Sequence, residues 1–236
     1  MRYLEIDFAR GIAVLLMIAY HFAFDIYFPN YSKIYFFAFP IASSFILISG
    51  ICLHISYSRR KNFYRFLKRG IKLSFLSLTI TALTFIFLEK GFIIFGILHF
   101  FAFTSFLIYP FLKYVENKIF YLLFGIFSIL LGIFFSTLNF NSYYFLWLGI
   151  APKKFFTFDY FPIFPWFGIL LLGVFLGKVF YPNGKRSFDF KLSNSKIVKI
   201  FSFFGKHSLL IYFLHQPVII LILSFTNLTS LVFVFR

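Results

Sequence analysis

The first apolar run of the chain carries four ionisable residues, Asp7, Arg10, His21 and Asp25. At about 100° per residue these four, with Val14 and Met17, share a stripe about 80° wide on one helix. Ionisable groups are costly in hydrocarbon, so such a stripe faces protein or a cavity and is a candidate site. Asp7 and Arg10 stand at i,i+3 and can form an ion pair; His21 and Asp25 stand at i,i+4 and can share a hydrogen bond. A carboxylate one turn from a histidine holds the ring in one tautomer and stabilises the imidazolium that forms, which suits a general base. The competing reading makes both pairs structural, two polar clasps between helices.

Three other histidines lie in apolar runs. His99 and His215 are expected at about the depth of His21, His99 about two turns into its span and His215 followed by Gln216 and Pro217. Three histidines can hold zinc. No close His-x-x-x-His spacing occurs, so acid–base chemistry is the favoured reading and no metal is expected. His99 reads equally well as a plain interhelical hydrogen-bonder. His54 shares a helix face with Ser43 and Gly50, a small polar stripe that permits close packing or admits a ligand. His207 falls at a span end and reads as an interface residue. Cys52 is the single cysteine, so neither an internal disulfide nor an all-cysteine metal site can form.

The elements that must position these residues follow from composition. Of 236 residues, 61% are hydrophobic and only 13% charged, and the mean hydropathy is +0.90. Such a chain cannot cover its surface with polar groups and needs lipid as solvent. Glu5, Asp7 and Arg10 interrupt the first run, which therefore reads as a span rather than a cleavable signal. Seven segments are long enough to cross: 6–28, 34–56, 71–88, 92–112, 119–137, 161–180 and 204–225. Connections are short and no internal repeat is visible, which predicts one all-α bundle of about seven transmembrane helices over 1–236. The 44 Phe are spread evenly and read as composition, not as an aromatic site.

The net charge of +16 could point to nucleic acid, but the positive residues cluster between spans, where a topology signal belongs. Arg59, Arg60, Lys61, Arg65, Lys68, Arg69 and Lys72 fall between spans two and three; Lys185, Arg186, Lys191, Lys196, Lys199 and Lys206 between six and seven; Lys113 and Lys118 between four and five. All three connections share one side, predicted to be cytoplasmic, with the N-terminus inside and the C-terminus outside a cell membrane. The segment 138–160, with Trp147, several Tyr and Pro152, is the longest outer loop and is expected at the membrane interface.

The run from Asp7 through Arg10-Gly11 to Met17, ending at His21, resembles the first helix of the transmembrane acyltransferases, among them the catalytic domain of heparan-alpha-glucosaminide N-acetyltransferase and its prokaryotic relatives. Phe95-Gly96-Ile97-Leu98-His99, Pro162-Ile163-Phe164-Pro165-Trp166-Phe167-Gly168 and Gly205-Lys206-His207-Ser208, continuing to His215-Gln216-Pro217, are similar to the prokaryotic members. The resemblance implies an acetyl or acyl group passed from cytoplasmic acyl-CoA to an outer-face acceptor, a sugar or glycan, with no permanently bound cofactor. In the lysosomal enzyme the catalytic histidine follows the first helix. Here the connection Pro29-Asn30-Tyr31-Ser32-Lys33 has none, and the role falls to His21.

On this reading His21 is the base, Asp25 orients it, and His99 or His215 steadies the oxyanion. Arg10, His54, Arg65, Lys68 and Arg69 receive CoA. Arg10 to His21 is about 16 Å along a helix at about 1.5 Å per residue, within reach of a pantetheine arm. The partners are acyl-CoA, the acceptor and the bilayer, with no nucleic acid; the sequence admits a homodimer without fixing the oligomeric state. A proton-coupled transporter or a flippase for a lipid-linked substrate, using the buried histidines as a relay, is the alternative.

Overall fold

Amides and carbonyls find no water in hydrocarbon, so spanning segments must satisfy them internally, and the α-helix does so. The computed structural model describes residues 2–27, 32–138, 140 and 142–226. Among these residues there are eight α-helices and no β-strand. They are α1 (Leu4–Tyr27), α2 (Ser32–Arg59), α3 (Phe63–Phe87), α4 (Ile97–Tyr114), α5 (Lys118–Thr137), α6 (Ile163–Phe180), α7 (Lys196–Lys206) and α8 (Ser208–Thr226). All but α7 are long and apolar enough to cross a membrane. The protein is an all-α, multi-pass membrane protein.

Three helix ends differ from the sequence expectation. The helix α3 starts at Phe63, not near 71, because Asn62 caps it by accepting the Tyr64 amide at 2.8 Å. Arg65, Lys68, Arg69 and Lys72 therefore stand on a helix and not in a loop. The apolar residues from 92 to 96 are irregular, and α4 begins only at Ile97. The last expected span, 204–225, breaks at His207, whose φ of −100° and ψ of 13° leave the helix. The break separates α8 from α7, an amphipathic helix absent from the expected spans. Pro29, Asn30 and Tyr31 of the first outer connection lie outside the described residues, as do residues 139 and 141 of the segment 138–160 and the C-terminal residues 227–236.

The chain forms two compact units, one made of the described residues up to Ile48 and from Phe188 onward, the other of Ser49–Ser187. In the first unit α1 packs on α7 and α8. The α1–α7 crossing brings backbone against backbone: a Cβ on Gly205 would strike the Asp7 carbonyl, and one on Gly11 the Phe201 carbonyl. Small residues permit that approach. Ser202 Oγ donates to the Leu4 carbonyl at 3.2 Å, and Phe8 meets Phe201 edge-on.

In the second unit α5 and α6 make the same kind of contact at Gly125 and Gly168, while Gly70 of α3 lies under the Phe106 ring of α4. The segments before α4 and α6 are tied together. Phe158 and Phe161 donate backbone N–H to Gly91 and Phe95, and Thr157 Oγ1 donates to the Phe92 carbonyl. Asp159 Oδ2 accepts the Ile97 amide at 3.0 Å and so caps α4. Tyr160 donates its hydroxyl to the Leu146 carbonyl at 2.7 Å, and burial pushes the phenol up, which keeps that proton in place. Tyr143, Tyr144 and Trp147 are exposed.

Candidate functional site

The α1 stripe is real. Asp7, Val14, Met17 and Asp25 are buried, and Asp7 Oδ1 lies 3.8 Å from Arg10 Nη1, the ion pair that the spacing predicts. What the spacing could not predict is how α8 answers the C-terminal half of the stripe. The ring of His215 lies 4.8 Å from that of His21, centroid to centroid, tilted by 59°. Gln216 donates through Nε2 to Asp25 Oδ2 at 2.7 Å. Asp25 itself is fully buried. Each histidine is also backed by a tyrosine of its own helix, Tyr20 beside His21 and Tyr212 beside His215.

The tautomer of His215 follows from its neighbours. Its Nδ1 lies 2.6 Å from the Tyr212 carbonyl, which can only accept, so Nδ1 carries the hydrogen. In the neutral ring Nε2 is then a bare lone pair. That atom and Gln216 Oε1 are both buried and have no hydrogen-bond partner among the described residues. Pro217 follows within α8; it lacks an N–H, which frees the carbonyl four residues back. Gln216 was absent from the expected site. Its signal was a polar amide next to a histidine inside an apolar run.

His99 is placed differently from the sequence expectation. It sits in the first turn of α4, not two turns into a span. The Gly96 amide donates to its Nδ1 at 3.2 Å, which leaves Nε2 with the hydrogen, 3.2 Å from Thr81 Oγ1. Thr81 in turn donates to the Ile93 carbonyl at 2.7 Å. Both ring nitrogens are thus engaged in holding the start of α4 to α3. One edge of His99 lines a largely apolar cavity of about 280 Å³ with Ser74, Ser77, Phe95 and Phe103.

His54 is buried, with Nε2 3.1 Å from the Tyr181 carbonyl, and its Cβ packs on Gly177 of α6. Arg59 Nε donates to the Gly184 carbonyl at 3.3 Å. These contacts fasten the end of α2 to the turn after α6. Arg69 donates to Ser49 Oγ at 2.9 Å and is half-buried. Arg65 and Lys68 are exposed at the start of α3. Among the described residues no three His, Cys, Asp or Glu side chains converge as a metal site.

The family described as "Heparan-alpha-glucosaminide N-acetyltransferase, catalytic" matches residues 2–217. No curated protein and no solved structure matches the chain. The matched region starts before Asp7 and ends at Pro217, so it holds the α1 stripe and its α8 partners together. The chain belongs to the heparan-alpha-glucosaminide N-acetyltransferase catalytic-domain family, and is an acyltransferase of the multi-pass membrane kind.

Proposed function

We propose that the protein transfers an acetyl or acyl group from acyl-CoA to a hydroxyl or amine acceptor at the outer face of a cell membrane, with His21 as general base. The observation that carries this reading is the meeting of half-buried His21 and buried Asp25 with half-buried His215 and Gln216. His21 takes the proton of the acceptor as its oxygen or nitrogen bonds to the thioester carbonyl. The carbon–sulfur bond then breaks, and the imidazolium returns the proton to the departing CoA thiolate. The products are the acylated acceptor and free CoA.

His215 supports the base as an acceptor rather than as an oxyanion donor. Its Nδ1–H is spent on Tyr212, and its Nε2 lone pair is suited to receive an N–H from a protonated His21. Asp25, held by Gln216, supplies the negative charge that favours the imidazolium. His99 is left out of the chemistry, because Gly96 and Thr81 occupy both of its nitrogens. His54 likewise works as a clasp to Tyr181. Exposed Arg65 and Lys68 are the candidates for CoA phosphates, since clustered cations bind them by charge-assisted hydrogen bonds.

The test is release of CoA from radiolabelled acetyl-CoA by the purified protein, with a sugar or amine acceptor present. Thioester cleavage that depends on acceptor and on His21 supports the reading. Ion-coupled uptake without thioester cleavage would replace it with a transporter.

A further inference from the structure

The Asp25 contact accounts for half of the Gln216 amide. The nitrogen of Gln216 faces Asp25 Oδ2 and its oxygen turns away. Oε1 is buried there with no hydrogen-bond partner among the described residues. His215 Nε2, one residue earlier, is a second buried acceptor in the same state. Both residues lie on the side of α8 that meets α1, because their neighbours are His21 and Asp25. Buried acceptors without donors are rare, and each calls for an explanation. His21 can supply one donor when it is protonated. Among the described residues nothing supplies the other.

We propose that Gln216 Oε1 receives an O–H or N–H of the acceptor adjacent to the group that is acylated, and so selects acceptors that carry two neighbouring donors. The identity of the ligand as the acceptor rests on the acyl-transfer reading. His21 and Asp25 stand one turn apart on α1, and their partners His215 and Gln216 are consecutive on α8, so Oε1 belongs to the same cluster as the base. Nε2 fixes the amide on Asp25, so Oε1 is presented in one orientation at little entropic cost.

The probes are trans-2-aminocyclohexanol and cyclohexylamine, two amines that differ by one neighbouring hydroxyl. Their apparent affinities for the purified full chain are read from concentration-dependent shifts in melting temperature. The wild type is expected to prefer the amino alcohol by about tenfold, the effect of one buried hydrogen bond. Gln216→Leu removes both ends of the amide. Gln216→Lys keeps a donor toward Asp25 and offers no acceptor, and it decides the matter if the leucine variant does not fold. Both are expected to bring the ratio to about one while acetyl-CoA affinity is kept. Equal binding of the two amines by the wild type, or a preference that survives in a folded variant, overturns the proposal, as does a loss confined to acetyl-CoA affinity. Acetyl transfer is followed in the same samples: a preference that depends on Gln216 without any transfer retains this assignment and sinks the acyl-transfer reading instead.

Discussion

The rings of His21 and His215 lie 4.8 Å apart, one from α1 and one from α8. Each histidine alone is an ordinary half-buried polar residue. Together they can pass a proton: one ring accepts it from substrate, and the other offers a lone pair to the N–H that results. His21→Ala is expected to abolish transfer, and loss of a general base typically costs about 10²–10⁴-fold. His215→Ala should cost about 10-fold to 10²-fold, because the base survives without its support. Residues that act as a unit do not add, so the double variant should be no slower than His21→Ala. Initial rates in membranes, with acyl-CoA binding measured separately, check this. Independent, additive losses would dissolve the pair.

The parts of this site that lie on one helix were legible in the sequence. Period 3.6 places Asp7, Arg10, His21 and Asp25 on one face, and the Asp7–Arg10 pair follows from i,i+3 spacing. Spacing says nothing about which residue of α8 meets which of α1, so the Gln216–Asp25 bond was not readable. His99 was misplaced because the apolar run from 92 counted as helix. Gly91, at a φ of 80°, and Gly96, the residue that caps α4, keep that stretch irregular. The helix α7 was hidden by its lysines, although Val198, Ser202 and Gly205 mark one buried face at helical spacing.

Asp25 carries a second prediction. Asp25→Asn keeps an oxygen that can accept from Gln216 Nε2 and removes the charge. It should fold and slow transfer by about 10-fold or more. Asp25→Leu leaves that buried donor unpaired, which costs about 1–3 kcal/mol in addition, and should lower the melting temperature in detergent. A leucine variant as stable as the wild type would mean that the Gln216–Asp25 bond holds nothing together.

His99 separates structure from chemistry. His99→Ala loses the bonds to Gly96 and Thr81, and two hydrogen bonds at about 0.5–1.5 kcal/mol each set the expected loss of stability. Asp159→Ala, which uncaps the same end of α4, should act in the same direction by about 1 kcal/mol. Transfer per folded molecule should change little in either. A His99→Ala protein that keeps its melting temperature and loses turnover would return His99 to the catalytic set.

Charge asymmetry predicts the orientation. With Cys52 replaced by serine, cysteines at positions 61 and 153, both exposed, report on opposite faces of the membrane. A membrane-impermeant thiol reagent added to intact cells should label position 153 and spare 61, because the side richer in Lys and Arg stays in the cytoplasm. The reverse pattern would place the acyl-CoA candidates outside and remove the donor from reach.

The basic start of α3 supplies the last prediction. Arg65 and Lys68 are exposed, whereas Arg69 is held by Ser49 Oγ at 2.9 Å. The three therefore differ in what their loss does. Arg65→Gln with Lys68→Gln removes two exposed cations, and the contact that Arg65 makes to the Ser56 carbonyl is long, at 3.5 Å. If these side chains bind CoA phosphates, each lost charge-assisted bond, at about 1.5–3 kcal/mol, should weaken acyl-CoA binding by about tenfold or more, and the effect should shrink as salt is raised. Maximal turnover should be retained at saturating acyl-CoA, because the histidine pair is untouched. Adding Arg69→Gln should lower the melting temperature as well, through the lost bond to Ser49. A titration of the double variant that matches the wild type at low salt would return these residues to orienting the chain in the membrane, and the donor's phosphates would have to be met elsewhere.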